Sequence, residues 1–298
     1  MKVAVSGSTG LIGSALVPLL ARAGDEVVRL VRGQAKAPAE VAWDPGAGSV
    51  DTAGLAGVEG VVHLAGESIG EGKWTPQKKE RIKASRVQGT RLLSEALARL
   101  EPRPRVLVCA SAIGYYGDRG EETMTEASPA GRGFLAEVSQ AWEAAAQAAL
   151  QAGLRVVHLR FGFVLSAAGG AFPRMLLPFK MGVGGVIGPG KQYVSWISID
   201  DAVRVIQHAL TTHALRGPVN AVAPQPVTNA EFTKTLGRVL SRPTFFPLPA
   251  FAVRLMFGEM ADALLLASTR VEPARLLATG YAFRHPDLEE ALRDLLKK

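Results

Sequence analysis

Patterns typical of buried strands and of amphipathic helices alternate along most of the chain. The apolar runs that predict strands are residues 3–5, 26–31, 41–43, 61–66, 105–110, 154–161 and 217–220. Apolar residues at helical spacing predict helices over residues 11–23, 75–100, 134–151 and 199–210. Strands that alternate with helices pair in parallel and are covered on both faces. The pattern therefore predicts an α/β fold with a doubly wound parallel sheet.

From residue 227 the pattern changes to short helical stretches separated by prolines. Residues 247–266 are apolar on nearly all sides of a helix, so we expect this segment to be buried. Arg254, Glu259 and Asp262 interrupt it, and it does not predict a membrane span. We expect residues 1–165, together with 199–222, to form an α/β domain. Residues 166–198 and 223–298 are expected to form a smaller, mostly helical substrate-side region.

Three glycines follow the first apolar run and precede the first predicted helix. Gly7 permits a tight turn, Gly10 lets the backbone approach a ligand, and Gly13 lets the helix lie close to the strand. The N-terminus of the helix offers free N–H groups and the positive end of its dipole to a pyrophosphate. A purely structural turn is the alternative, but the strand-turn-helix-strand context favours a Rossmann-type nucleotide site. The same turn contains Thr9, Leu11 and Ile12.

Arg32 lies at the end of the second predicted strand, where NAD-specific enzymes carry an acid for the ribose 2′-hydroxyl. A guanidinium there can form paired hydrogen bonds with a 2′-phosphate, which favours NADP over NAD. A solvated loop arginine is the alternative. The predicted strand of residues 61–66 ends in Leu64, Ala65 and Gly66, whose backbone can lie against a cofactor.

Two other polar features predict structural roles. His63 is interpreted as a buried strand histidine, because no acid flanks it at the spacing of a catalytic triad. Asp200 and Asp201 open the helix of residues 199–210, where the helix dipole favours negative charge.

The composition excludes several classes of protein. Of 298 residues, 48% are hydrophobic, and the formal net charge is +7. The charges are scattered and form no basic stripe with interleaved aromatic residues, so we expect small anionic molecules and not nucleic acid as ligands. Cys109 is the single cysteine, which excludes an intrachain disulfide and a cysteine metal cluster. No secretory signal precedes the first strand, so we expect a cytoplasmic protein without a membrane partner or a metal.

Five motifs in order along the chain resemble a known superfamily. They are residues 6–13, 62–66, 86–90, 109–117 and 196–201. Together they resemble the extended short-chain dehydrogenases/reductases, and more narrowly their atypical branch of nucleoside-diphosphate-sugar epimerase-like proteins. Residues 247–296 are similar to the small domain of unknown function that ends this branch. The resemblance covers essentially the whole chain. It implies an NADP-binding protein that forms homodimers through a four-helix contact, here residues 75–100 and 134–151.

The catalytic residues of the superfamily carry over only in part. Its working enzymes use the tyrosine of a Tyr-x-x-x-Lys pair as acid and base, with a serine that polarises the substrate oxygen. Ser111 matches the serine. With Glu143 as the anchor of the helix, Leu135 stands at the tyrosine position and Ser139 at the lysine position, and neither can transfer the proton. Arg86 replaces the asparagine of the proton relay.

Tyr115 and Tyr116 are the candidates to replace the missing tyrosine. They follow Ser111 at the end of a predicted strand, where open parallel sheets bind ligands. A tyrosine needs a nearby cation to transfer a proton at neutral pH, and Arg86 and Lys73 are the candidate cations. Packing or substrate stacking is the alternative role of both tyrosines.

Two functions therefore stay open. One is an NADP-dependent oxidoreductase or epimerase that acts on a small hydroxyl or carbonyl substrate such as a nucleotide sugar. The other is a non-catalytic protein that binds NADP as a structural or sensed ligand. The sugar-nucleotide motif Arg-x-x-Asn also departs from the superfamily, since Arg160 is present but Phe163 occupies the asparagine position.

Overall fold

A central eight-stranded sheet organises the computed structural model, which describes residues 1–297. The strands of the protein in chain order are β1 (Lys2–Ser6), β2 (Glu26–Val31), β3 (Glu40–Asp44), β4 (Ser49–Val50), β5 (Gly60–His63), β6 (Val106–Ala112), β7 (Thr123–Met124), β8 (Arg155–Phe161), β9 (Phe163–Leu165), β10 (Tyr193–Val194), β11 (Trp196–Ser198), β12 (Gly217–Ala221), β13 (Val227–Thr228) and β14 (Arg270–Val271).

The strand order of the central sheet is β12-β8-β6-β5-β1-β2-β3-β4. Every neighbouring pair is parallel except β3 and β4. The order reverses between β1 and β5, and doubly wound sheets bind ligands at the carboxyl ends of the strands at such a point. The predicted α/β fold of the Rossmann type is confirmed.

Helices cover both faces of this sheet and also form the smaller region beyond its carboxyl edge. They are α1 (Leu11–Arg22), α2 (Pro76–Ala98), α3 (Phe134–Ala144), α4 (Gln147–Gln151), α5 (Phe172–Lys180), α6 (Ile199–Thr211), α7 (Asn229–Leu240), α8 (Ala250–Phe257), α9 (Ala274–Ala278) and α10 (Leu288–Leu296). Leu16 and Leu20 of α1 pack on one face with α6, and Leu93 and Leu97 of α2 pack on the other with α4. Residues on β1 alternate between these two cores, as the pleat of a strand requires.

Residues 134–151, predicted as one helix, form α3 and α4. At the start of α4 the Ala149 N–H donates to Ser94 Oγ of α2 at 2.7 Å. Alanine has a high helix propensity, so the local sequence favours a continuous helix. The break is therefore a result of packing against α2.

The substrate-side residues have an apolar core of their own. Phe172 of α5, Phe232 of α7 and Leu288 of α10 meet there with Trp196. The core lies beyond the carboxyl end of β8, where β9 pairs in parallel with β11. This arrangement places α5, α7 and α10 beside the edge of the sheet that binds ligands.

Asp201 attaches the C-terminal segment to the α/β domain. Its buried carboxylate accepts hydrogen bonds from the Tyr281 hydroxyl at 2.9 Å, the Arg284 N–H at 2.8 Å and the His285 N–H at 2.9 Å. Burial and this carboxylate raise the pKa of Tyr281 well above its usual range. Asp200 is partly exposed and pairs with Arg284. The prediction of a dipole role for both acids is therefore incomplete for Asp201, which is an anchor.

The prediction that residues 247–266 are buried is wrong for α8. Val253 is buried, but Phe251 and Leu255 are 73% and 82% exposed. Only one side of this short helix contacts the rest of the protein. Because its sequence is apolar on all sides, the apolar residues on the opposite side are exposed to solvent. No helix within residues 1–297 has the length and hydropathy needed to span a membrane.

Candidate functional site

The glycine turn lies at the point where the strand order reverses. Gly7 has a φ of 67°, which glycine adopts without strain, and a Cβ there would lie 2.8 Å from the Ala65 backbone nitrogen. A Cβ at Gly13 would overlap the Gly7 carbonyl oxygen. Gly10 is exposed, and its N–H donates to the Gly7 carbonyl at 3.0 Å. Backbone contacts thus require glycine at positions 7 and 13, while Gly10 faces the open side of the turn.

The first turn of α1 leaves its N–H groups available. It has no side-chain cap and no acidic residue. The N–H groups of Leu11, Ile12 and Gly13 have no acceptor within the helix, as is general for a first turn, and together with the helix dipole they suit an anion. Exposed Thr9 and Gly10 border the same opening. The turn therefore fits a pyrophosphate.

Arg32 lies on the same edge as the glycine turn. Ser6 of β1 pairs with Leu30 of β2, and Arg32 follows two residues later. Its exposed side chain forms no hydrogen bond or ion pair with the rest of residues 1–297. Arg29, by contrast, is paired with Glu40 at 2.8 Å. Arg32 is thus the arginine at this strand end that remains available to a phosphate.

Leu64, Ala65 and Gly66 form the other wall of the crevice. They follow β5, and the Leu64 N–H donates to the Ser6 carbonyl at 3.3 Å. Leu64 and Ala65 are half-buried and Gly66 is exposed. Their backbone is therefore placed beside the glycine turn, and its contact with a cofactor stays a prediction.

His63 supports the turn from inside the sheet. Ser6 Oγ accepts a hydrogen bond from the Leu64 N–H at 3.2 Å and lies 2.6 Å from His63 Nδ1. Ser6 can therefore donate its own hydrogen to Nδ1 of a neutral imidazole. Complete burial lowers the pKa of His63 to about 4. His63 is a buried strand histidine, as predicted, and is neutral at physiological pH.

Ser111, at the carboxyl end of β6, belongs to a buried ionic network. Its Oγ donates to Glu143 Oε1 of α3 at 2.7 Å. Arg160 of β8 donates two hydrogen bonds of 2.8 Å to the same carboxylate. Burial alone would lower the pKa of Arg160, but the hydrogen bonds and charge of Glu143 outweigh it, and the pKa is raised. The network therefore contains a largely buried ion pair.

The two tyrosines have different surroundings. Tyr116 is completely buried; its hydroxyl donates to Asn220 Oδ1 at 2.7 Å and accepts from Arg160 Nη1 at 2.9 Å. Burial raises the pKa of Tyr116 although Arg160 opposes the shift. Tyr115 is only partly buried, and the guanidinium carbon of Arg160 lies 3.4 Å from the centre of its ring. The geometry favours Tyr115 over Tyr116 as a residue that reaches a ligand.

Sequence reasoning missed part of this network. Arg160 was noted only for a sugar-nucleotide motif and Glu143 only as a helix anchor, and Asn220 was not noted. A signal was available, because Arg160 stands between Leu159 and Phe161 in a buried strand. A buried charge needs a partner. The sequence did not indicate that Glu143, seventeen positions earlier, is that partner.

The comparisons with known proteins agree with this geometry. Residues 3–221 match the family model described as NAD dependent epimerase/dehydratase family. The chain belongs to this family. Residues 248–295 match a domain of unknown function, DUF1731. An epimerase family protein of Mycobacterium bovis is 45% identical over 97% of this chain and 96% of its own length.

Two solved structures are similar over nearly the whole chain. The human epimerase family protein SDR39U1, crystallised with NADPH, has a TM-score of 0.91 and 36% identity, with both chains covered completely. A nucleoside-diphosphate sugar epimerase of Corynebacterium glutamicum has a TM-score of 0.83 and 38% identity, over 99% of this chain and 58% of that one. The resemblance inferred from the sequence motifs is therefore confirmed.

Leu135 and Ser139, which stand where the family has its catalytic tyrosine and lysine, are at least partly buried. Leu135 packs beside Gly114 and belongs to a small apolar cluster with Trp74. Ser139 is buried. Arg86 Nη1 donates to the Glu67 carbonyl at 2.9 Å, and its guanidinium lies over the Trp142 ring. The expectation that Arg86 or Lys73 is the cation beside the tyrosines is wrong, because that cation is Arg160.

One group of side chains has the spacing of metal ligands. Asp200, His285 and Asp294 each offer an atom within 4.8 Å of the others. Arg284 forms ion pairs of 3.7 and 3.3 Å with the two carboxylates. One arginine thus compensates part of their charge, and this cluster belongs to the attachment of the C-terminal segment described for Asp201.

The helices of the predicted dimer contact expose polar side chains. Those on α2 and α3 are Gln77, Glu80, Arg81, Lys83, Gln88, Arg91, Glu137 and Gln140. Stable homodimer interfaces are more apolar than this. The homodimer stays a prediction, and any contact through these faces would be polar.

Proposed function

We propose that this protein binds NADP and acts as an NADP-dependent oxidoreductase or epimerase on a small hydroxyl or carbonyl compound. The observation that carries the proposal is the uncapped N-terminus of α1 beside an unpaired Arg32. The first suits a pyrophosphate and the second a 2′-phosphate. The NADPH complex of the human relative supports the same cofactor.

The residues at the ends of β6 and β8 would handle the substrate oxygen. NADP, when bound, supplies hydride exchange with a substrate carbon. Ser111 Oγ donates its hydrogen to Glu143, so in this arrangement it would accept a hydrogen bond from a substrate hydroxyl and would bind a carbonyl oxygen only after turning its hydrogen away from Glu143. Tyr115 would move the proton at that oxygen, with the Arg160 charge against its ring. Tyr116, also a candidate from the sequence, is better suited to hold Arg160 in place.

Nucleotide sugars are the substrate class to test first. The Corynebacterium relative is described as a nucleoside-diphosphate sugar epimerase. The formal net charge of +7 is compatible with an anionic substrate. Arg160, the arginine of the sugar-nucleotide motif, is committed to Glu143, so it is not available to bind a diphosphate.

A non-catalytic NADP-binding or redox-sensing role is the second candidate. Leu135 and Ser139 favour it, because they stand at the positions that resemble the catalytic pair and neither can replace it. Acid and base assistance typically contributes a factor of about 10² to 10⁴ in rate. A protein that relied on Ser111 alone would therefore turn over slowly.

Cofactor choice is tested by fluorescence titration of NADPH and NADH. Arg32→Ala is expected to weaken NADPH about ten- to hundredfold and to leave NADH nearly unchanged, since a charge-assisted contact contributes roughly 1.5–3 kcal/mol. Arg22→Ala, at the other end of α1, is the matched control and should change neither affinity. Equal losses for both cofactors in Arg32→Ala would contradict the assignment.

Turnover is tested by the nicotinamide absorbance of purified protein with NADPH and a panel of carbonyl compounds and nucleotide sugars. Product analysis by NMR detects an epimerase that returns the hydride to the substrate. Oxidation or a new sugar epimer supports the enzyme. Tight NADPH binding with no product from any compound supports the non-catalytic candidate.

A further inference from the structure

Protruding apolar side chains are concentrated between residues 245 and 256 of the substrate-side region. Phe245, Phe251 and Leu255 are 83%, 73% and 82% exposed, and Phe246 and Met256 are also mostly exposed. We name these five side chains the apolar ridge. Exposed apolar residues that stand singly are ordinary, but a group of this kind marks an interaction site.

The loop after α5 lies against the base of the ridge. The Leu248 N–H donates to the Val186 carbonyl, and the Gly188 N–H donates to the Leu248 carbonyl, both at 2.8 Å. A Cβ at Gly185 would overlap the Phe246 carbonyl oxygen, so the two chain segments touch. Exposed Met181 and Val183 in this loop extend the apolar surface.

The two segments that form this surface have no acidic residues. Residues 172–191 contain three Lys or Arg and residues 232–258 contain four, without a single Asp or Glu. Their surplus equals the formal net charge of +7 of the whole chain. The Lys and Arg residues in the rest of the chain are balanced by its Asp and Glu residues, of which Glu231 and Glu259 directly flank the second segment.

Several of these cations are not neutralised by the protein. Arg238 pairs with Glu289 and Arg254 pairs with Asp262. Lys180, Lys234 and Arg242 are exposed and have no ion pair with any acid among residues 1–297. The apolar ridge is thus accompanied by unpaired positive charge.

We infer that the apolar ridge and its cations dock the protein on an anionic membrane surface, without spanning it. Exposed Phe and Leu beside Lys and Arg are the combination that lies in the interface of an anionic bilayer. A second copy of the chain fits poorly, since a twofold contact sets the same cations against each other. Side chains more than 70% exposed protrude, and a fluid bilayer accepts them without the matching pockets that a protein partner must provide.

Vesicle flotation of the full-length protein tests the inference. Vesicles of phosphatidylcholine are compared with vesicles of phosphatidylcholine that contain a third phosphatidylglycerol, at low and high salt. We expect binding to the anionic vesicles alone and release by salt. The variant Phe251→Ser/Leu255→Ser should reduce binding at least about tenfold, and the variant Lys234→Glu/Arg242→Glu by more than about twentyfold, since each cation near the surface contributes about fivefold.

Matched controls use exposed residues far from the ridge. Leu150→Ser on α4 and Arg91→Glu on α2 should bind like the unmodified protein. All substituted side chains are exposed, so equal melting temperatures will show that the variants fold. The inference is overturned by absence of binding to anionic vesicles, by equal binding to neutral ones, or by equal binding of the ridge variants and the controls. It is also overturned if sedimentation shows a dimer that the ridge variant dissociates.

Discussion

The glycine turn, where the cofactor is proposed to bind, and the carboxyl ends of β6 and β8, where the substrate oxygen is proposed to lie, differ in how their polar groups are paired. At the glycine turn, the N–H groups of the first turn of α1 and the guanidinium of Arg32 have no partner among residues 1–297. At the ends of β6 and β8, Ser111, Glu143 and Arg160 bind one another. Unpaired donors are available to a ligand. Side chains that already bind one another stabilise the fold, and a ligand can contact them only where the network meets solvent. The comparison teaches that donors are preorganised for a ligand at the glycine turn, and that the proposed chemistry would depend on Tyr115, which is only partly buried.

The largest expected effect separates the two tyrosines. If Tyr115 moves the proton, Tyr115→Phe should lower kcat by a factor of about 10² to 10⁴ on any substrate identified. Tyr116→Phe is the matched control and should leave kcat largely unchanged. Its free energy of unfolding should fall by about 1–3 kcal/mol, because Asn220 and Arg160 lose a buried partner. Equal kcat for Tyr115→Phe and the unmodified protein would remove Tyr115 from the mechanism.

The ionic network is tested by Arg160→Met in urea unfolding. The substitution leaves the nearly buried Glu143 carboxylate without its cation, so the free energy of unfolding should fall by about 3–5 kcal/mol. The double variant Arg160→Met/Glu143→Gln removes both charges and should recover part of the loss. A loss of less than about 1 kcal/mol in the single variant would mean that the network does not stabilise the fold.

The glycine turn is tested by Gly13→Ala. The added Cβ meets backbone atoms that cannot move aside, so we expect a loss of about 1–3 kcal/mol in stability and at least tenfold in NADPH affinity. Gly70→Ala is the control, because a Cβ there meets nothing within 4 Å. Thermal melts and NADPH titration measure the two effects. Unchanged NADPH affinity in Gly13→Ala would separate the turn from the cofactor.

The smallest expected effect concerns His63, which supports the glycine turn from inside the sheet. Burial lowers the pKa of His63 to about 4, below its unfolded value of about 6.5. Between these values the unfolded chain binds a proton that the folded protein excludes, so stability falls as pH falls. We expect a loss of about 2 kcal/mol between pH 7 and pH 5. His63→Gln should flatten this dependence, and His213→Gln, which replaces an exposed histidine, should not. An identical pH profile for both variants would contradict the role of His63.

The cofactor side was predictable from the sequence because its signals are local. Gly13 is required by a contact within one turn, Gly7 is required by its positive φ, and Arg32 follows from the length of one βαβ unit. The chemical side was not predictable, since Glu143 and Arg160 meet only when β8 and α3 pack side by side. No spacing in the chain encodes that contact.

The sequence by itself determined the alternation of strands and helices, because each element must hide one apolar face and hydrophobic periodicity records which one. Its ordered motifs determined the family. Only the tertiary structure decided that α4 separates from α3, that Asp201 anchors residues 281–285, and that the apolar stripe of α8 is exposed. These outcomes depend on which surfaces the packed elements cover. An apolar segment has the same sequence whether another element buries it or leaves it exposed to solvent.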